Sequence, residues 1–114
     1  MTTSERPLDI VVLGAYGRTA RECAEYIATQ LPSNLKWAIA GRNAGKLQAL
    51  AEKLKGMNSD RLQPEVAILE LNPKDLGALA RKCRVIINGV APYCLHSLPV
   101  VEACATNGTH YLDL

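Results

Sequence analysis

Gly14, Gly17 and Ala20 set a G-x-x-G-x-x-A spacing within Asp9-Ile-Val-Val-Leu-Gly-Ala-Tyr-Gly-Arg-Thr-Ala20. A short apolar run breaks there and gives way to a helical pattern. Gly14 can take a backbone conformation closed to other residues, and Gly17 lets a ligand come close to the main chain. Ala20 keeps the new helix near the strand. The free N–H groups of the helix's first turn then face the loop, where they and the helix dipole stabilise an anion. This is a phosphate cradle of the dinucleotide type, formed by Gly14, Ala15, Tyr16, Gly17, Arg18 and Thr19. Arg18 and Arg21 fall in the first turn, where the dipole repels a positive charge by about 0.3–1 kcal/mol. A bound anion would reverse that sign. A glycine turn that merely packs a helix on a sheet is the alternative.

The second candidate group is Ala40-Gly41-Arg42-Asn43. A binder of NAD usually carries Asp or Glu at the end of its second strand, about 20 residues beyond the glycine loop, bonded to the ribose hydroxyls. No acid stands here. Arg42 at that place can hold a 2′-phosphate by paired, charge-assisted hydrogen bonds, which favours NADP over NAD. Asn43 is a second candidate contact and equally a helix N-cap. Asn72, after the third strand, stands near where an adenine ring would lie, though a capping role explains it as well.

Asn88-Gly89-Val90-Ala91-Pro92-Tyr93 leaves the sheet beside the glycine loop. The backbone at Gly89 and Val90 should border the nicotinamide end of a cofactor. Tyr93 is either a contact there or packing over the sheet edge. Cys94 and His96 lie close by in sequence, but nothing supplies a third partner for nucleophilic catalysis. No residue is assigned a catalytic role. Cys23, Cys83, Cys94 and Cys104 include no C-x-x-C pair, and only His96 and His110 could join them, so no metal site is expected. Cys23, Cys83 and Cys104 sit in apolar helical registers and read as buried free thiols, which fits a reducing compartment.

These groups need elements to position them. The first strand is expected over Leu8 to Leu13, and its helix from Arg18 to about Leu31, with Ala20, Cys23, Ala24 and Ile27 on one face. Further strands are expected over Leu35–Ala40, Val66–Leu71, Arg84–Val90 and Tyr111–Leu114. Helices are expected over Ala44–Lys55, ended by Gly56, and from Pro73, behind an Asn72 N-cap. Ala91 to Leu98 reads as irregular. Pro99 should open the last helix, which Asn107-Gly108 closes. The alternation predicts an α/β, Rossmann-like open parallel sheet. Its five strands take the order 3-2-1-4-5 with helices on both faces. The ligand crevice then lies at the carboxyl ends of strands 1 and 4, where the order reverses.

At 114 residues the chain is one domain, residues 8–114, behind a flexible start at residues 1–7. A formal net charge of +2 gives no basic field for nucleic acid, and one Trp with four Tyr and no Phe offers few stacking platforms. No apolar run reaches the roughly 20 residues that span a bilayer. A cytoplasmic protein without a transmembrane segment is expected.

Four segments together resemble the N-terminal half of the saccharopine dehydrogenase-like oxidoreductases, a group that includes trans-acting enoyl reductases of bacterial lipid synthesis. They are Val-Leu-Gly-Ala-Tyr-Gly-Arg-Thr at 12–19, Trp-Ala-Ile-Ala-Gly-Arg-Asn at 37–43, Val-Ile-Ile-Asn-Gly-Val-Ala-Pro-Tyr at 85–93, and Pro-Val-Val-Glu-Ala-Cys through His-Tyr-Leu-Asp-Leu at 99–114. The resemblance implies an NADP-binding domain of an NADP-dependent oxidoreductase. It also implies a place in lipid metabolism and a location in the cytoplasm or at the surface of a lipid droplet or organelle membrane. The family usually has Thr or Ser at Tyr16, Phe at Arg18, Gly at Ala20 and Asp at Asn72, and reads Gly-Pro-Tyr where this chain has Ala91-Pro92-Tyr93. Tyr16 is bulkier than its counterparts and should crowd the pyrophosphate. In the family the last strand runs on into Thr-Gly-Glu and a substrate domain.

The expectation is therefore a truncated domain, without the substrate half and inactive alone. Its fifth strand is exposed as an edge that favours self-association. A nucleotide-responsive scaffold without catalysis is the alternative function. A short-chain reductase or epimerase would need Tyr-x-x-x-Lys. Tyr16, Tyr26 and Tyr93 are followed four residues on by Ala20, Gln30 and Ser97, and Tyr111 by no residue at all.

Overall fold

The computed structural model describes residues 6–58, 60, 62–90 and 93–113, with no account of the side chains of residues 93–96. Ala91, Pro92 and Leu114, and the side chains of Tyr93, Cys94 and His96, thus lie outside the described residues. Nine elements alternate: β1 (Leu8–Leu13), α1 (Arg18–Gln30), β2 (Trp37–Gly41), α2 (Ala44–Met57), β3 (Glu65–Ile68), α3 (Pro73–Lys82), β4 (Cys83–Asn88), α4 (Tyr93–Asn107) and β5 (His110–Asp113). The strands form one parallel sheet in the order β3-β2-β1-β4-β5. This is the expected fold.

The continuous apolar run of β1 follows from its central place. Val11 and Leu13 face a cluster with Leu76, Leu79 and Ala80 of α3 and Val100, Ala103 and Cys104 of α4. Val12 faces the other way, into a cluster with Ala20, Ala24 and Ile27 of α1 and Leu47, Leu50 and Leu54 of α2. With helices on both faces, neither side of the strand can be polar. The register pairs Leu13 with Ala40 on one side and with Asn88 on the other, so β1, β2 and β4 reach the same carboxyl edge together.

Several boundaries differ from expectation. Pro99 lies inside α4, which begins at Tyr93, so the stretch from Tyr93 to Leu98 is helical rather than irregular. A proline forfeits only its own N–H bond and crowds the carbonyl four residues back. Packing of α4 along α3 sustains the helix on either side. α2 runs through Gly56 to Met57, where Asn58 N–H donates to the Leu54 carbonyl at 3.3 Å. β3 stops at Ile68, short of Leu71, because Asp75 Oδ2 accepts from the Glu70 N–H at 3.0 Å and draws the chain toward α3. The Asn107-Gly108 stop is as read: Gly108 has φ +67, and Thr109 N–H donates to the Cys104 carbonyl at 2.9 Å, closing the last turn.

Arg6 falls in the stretch expected to be flexible, yet its half-buried guanidinium ties two helix ends together. It donates to the carbonyls of Ala80 and Cys83, each at 2.7 Å, to Thr109 Oγ1 and to the Asn107 carbonyl. A cation at two helix C-termini meets the negative end of both dipoles.

Cys83 is not helical but opens β4. It and Cys104 are buried, whereas Cys23 is only half-buried. Burial pushes the Cys83 thiol up to about 12, with Cys104 adding to the rise and Arg6 opposing it. Burial likewise lifts Cys104 to about 11, again against Arg6. Both thiols keep their protons in the fold at pH values where an unfolded thiol, near 9.0, has lost its own. The contribution is full below pH 9 and lost as pH rises toward 11–12. Urea midpoints should therefore decline from pH 9 upward, and Cys83→Ala should flatten that decline; equal slopes for both proteins would contradict the assignment.

Candidate functional site

The three helices that follow β1, β2 and β3 begin differently. Asn43 caps α2, its Oδ1 accepting from the Lys46 N–H at 3.0 Å, and Asn72 caps α3 by accepting from the Asp75 N–H at 2.8 Å. The N-cap position of α1 is Gly17, which has no side chain to cap it with, and the first turn carries no acid. The N–H groups of that turn are left for something outside the helix.

The loop before α1 is fixed by its own backbone. Gly14 N–H donates to the Ala40 carbonyl at 2.7 Å and Gly17 N–H to the Gly14 carbonyl at 3.0 Å. Gly14 has φ +70, the left-handed region that glycine enters without strain. A Cβ added there would come within 2.8 Å of Val90 Cγ2 and 3.1 Å of the Val90 nitrogen. Gly89 is tighter still: a Cβ would meet the Ala20 Cβ at 2.3 Å and the Leu13 carbonyl oxygen at 3.2 Å. Gly89 N–H also donates to that carbonyl, at 2.8 Å. The ends of β1 and β4 and the start of α1 thus meet with no room for side chains. The main chain itself forms the walls.

A cleft of about 330 Å³ opens between these walls, lined by Gly14, Tyr16, Gly17, Arg18, Thr19, Gly41, Arg42, Leu71, Gly89 and Val90. Eight of the twelve residues singled out in the sequence come together here: Gly14, Tyr16, Gly17, Arg18, Thr19, Arg42, Gly89 and Val90. Ala15 is fully buried beneath the loop. Asn43 and Asn72 are exposed caps outside the lining. Tyr93 contributes the first residue of α4, and its side chain lies outside the described residues.

Arg18 and Arg42 are both exposed and line the cleft, and among the described residues neither forms an ion pair. Arg21, by contrast, turns to Glu25 at 3.9 Å, and Lys53 reaches the same carboxylate at 3.0 Å. Two cations without an ion pair among the described residues thus border a helix start that has no side-chain cap.

Tyr16 does not fill the cradle. Its ring lies over Gly41, where an added Cβ would stand 2.8 Å from Tyr16 Cε1. Lys46 Nζ sits 5.5 Å from the ring centroid, a cation–π contact. Only glycine at position 41 leaves space for that ring, so the bulk expected to crowd the pyrophosphate is turned toward β2 and α2. Tyr16 also lines a second cavity beyond, with Arg21, Lys46 and Lys53.

Gly41 and Leu71 are lining residues that sequence reasoning missed. Gly41 was visible as a turn, but its role depends on the Tyr16 ring. Leu71 was assigned to β3, but that strand ends at Ile68 and Leu71 lies beyond it, in the cleft lining. A polar group at the far end was missed as well. Asn88 is fully buried, and its Oδ1 accepts from the Val90 N–H at 3.0 Å while its amide donates to the Tyr111 hydroxyl at 3.2 Å. Burial pushes the Tyr111 phenol up, against the lowering effect of Asn88, so it stays protonated at neutral pH.

Residues 10–114 match the saccharopine dehydrogenase NADP-binding domain family. The mouse protein named saccharopine dehydrogenase-like oxidoreductase is 38% identical over the whole of this chain. A trans-acting enoyl reductase of Mycobacterium ulcerans is 36% identical, again over the whole chain. The chain spans only 29% and 27% of the lengths of these two relatives. Among solved structures, apo saccharopine dehydrogenase (L-Glu forming) from Saccharomyces cerevisiae superposes with a TM-score of 0.73 at 20% identity, over 93% of this chain and 21% of that one. At that identity the superposition speaks for the fold alone.

Proposed function

The chain belongs to the saccharopine dehydrogenase NADP-binding domain family, and from that premise we propose that the cleft between β1 and β4 holds NADP(H) for a hydride-transferring oxidoreductase. The observation that carries this reading is the contrast among helix starts. α2 and α3 are closed by asparagine caps, while α1 opens uncapped onto a cradle of glycine main chain. The diphosphate would lie against the N–H groups of Arg18 and Thr19, in the space that the missing Cβ atoms of Gly14 and Gly17 leave free. Arg42 stands at the end of β2, where the adenosine ribose would lie, and supplies a forked donor for a 2′-phosphate. A bound nicotinamide would exchange the hydride with the substrate, and these residues would bind and orient the cofactor.

Among the described residues that line the cleft, Tyr16 and Thr19 bring hydroxyls, and there is no carboxylate, imidazole or thiol. The substrate would therefore be held by parts found in the rest of the relatives' length, and the chain alone would bind cofactor without turnover. The enoyl reductase name of one relative favours a substrate from lipid metabolism for the whole protein. Among the described residues no helix is long and apolar enough to cross a membrane. Any association with a lipid droplet or organelle would thus be peripheral if those helices alone made it.

Calorimetry tests the assignment of Arg42. Its replacement by alanine should weaken NADPH binding roughly tenfold or more, the loss of a charge-assisted pair of about 1.5–3 kcal/mol, and leave NADH binding within about twofold. Equal loss for both cofactors would place the 2′-phosphate elsewhere. The outer edge of β5, with Leu112 57% exposed beside it, is proposed to pair with a second copy. Light scattering should then give a mass that climbs with concentration, and a constant monomer mass would refute this.

A further inference from the structure

One wall of the cleft depends on a line of hydrogen bonds running away from it into the sheet. Val90 N–H donates to Asn88 Oδ1 at 3.0 Å, the Asn88 amide donates to the Tyr111 hydroxyl oxygen at 3.2 Å, and the Tyr111 hydroxyl donates to Asp113 Oδ2 at 3.1 Å. The direction is not arbitrary. The Val90 N–H needs an acceptor, which commits the amide oxygen of Asn88 and leaves its nitrogen to donate. The phenol oxygen must then accept, and its proton can go only outward, to the carboxylate. All three bonds point the same way, an arrangement in which each polarises the next.

The elements dictate this line. Asn88 closes β4 opposite Asp113 on β5, and Tyr111 precedes Asp113 by two residues, on the same face of the strand. The phenol therefore reaches forward to the asparagine beside its own acceptor. Asn88 is fully buried, so neither half of its amide can turn to water instead.

At its inner end the line fixes the Val90 backbone nitrogen, which together with the Val90 side-chain Cγ2 sets the gap to Gly14. In a dinucleotide crevice the adenosine half lies toward the second strand, here Arg42, and the nicotinamide half passes the end of β4. We propose that Tyr111, held by Asp113, is a positioning residue that acts through Asn88 to fix the Gly89–Val90 wall on the nicotinamide side of the cleft. The proposal rests on the NADP reading of the site. It gives the end of β5, on the far side of β4 from the glycine loop, a part in cofactor orientation.

Two ligands separate a local role from a general one. NADPH meets both ends of the cleft, whereas 2′,5′-ADP carries the adenosine and 2′-phosphate but no nicotinamide. Tyr111→Phe breaks the line and should raise the Kd for NADPH about threefold to tenfold, the effect of one net hydrogen bond. The Kd for 2′,5′-ADP should stay within about twofold. Asp113 is exposed, so Asp113→Ala tests the same line if the phenylalanine variant folds poorly. It should give the same split, and Asp113→Asn, which keeps an acceptor, should restore NADPH binding. Unchanged NADPH affinity in both Tyr111→Phe and Asp113→Ala would overturn the proposal, as would equal weakening of the two ligands. Failure of the unsubstituted chain to bind either ligand would instead overturn the NADP reading, and the proposal with it.

Discussion

Everything at the site depends on how closely β1, β4 and α1 approach at one corner. Gly89 faces the methyl group of Ala20 at a separation that a Cβ on Gly89 would close, and it also donates to the Leu13 carbonyl. Enlarging either residue would push α1 away from the sheet edge. The first-turn N–H groups would then no longer point into the cleft. Close packing of this kind transmits small volume changes into backbone shifts. The same corner explains why position 20 carries an alanine and why Gly89 follows Asn88 at the end of β4: a small side chain, a bare backbone and a polar anchor beneath them.

The electrostatics follow from that geometry. An anion at the uncapped start of α1 satisfies N–H groups that α2 and α3 satisfy with their own asparagines, and it offsets the charges of Arg18 and Arg42. Positive charge at a helix start is unfavourable in the empty protein and favourable once a phosphate is bound. The cost is carried by the cofactor-free state. Tyr16 adds shape to this field. With its ring against Gly41 and under Lys46, it forms a partition between the cradle and the cationic groove of Arg21, Lys46 and Lys53.

Much of this was legible because it is local. The strand-to-helix glycines, the Asn72-Pro73 and Asn107-Gly108 boundaries and the two-sided apolar run of β1 each encode their conformation within a few residues, and the alternation of elements then fixes the sheet order. Arg42 was legible by its place at the end of a strand. What stayed hidden is long-range. The partners of Arg6 lie 74 to 103 positions away, and no spacing rule ties Tyr111 to Asn88 or the Tyr16 ring to Gly41. Pro99 misled for a different reason: a helix that packs along its neighbour tolerates the loss of one backbone bond, so a local breaker did not mark a boundary.

The central claim is that the backbone between β1 and α1 is the phosphate-binding element. Amide chemical shifts of the labelled chain during NADPH titration test it most directly. The account predicts saturable shifts concentrated at residues 14–19, with smaller ones at Gly41, Arg42, Gly89 and Val90. Saturable shifts centred elsewhere, or none at millimolar cofactor, would contradict it.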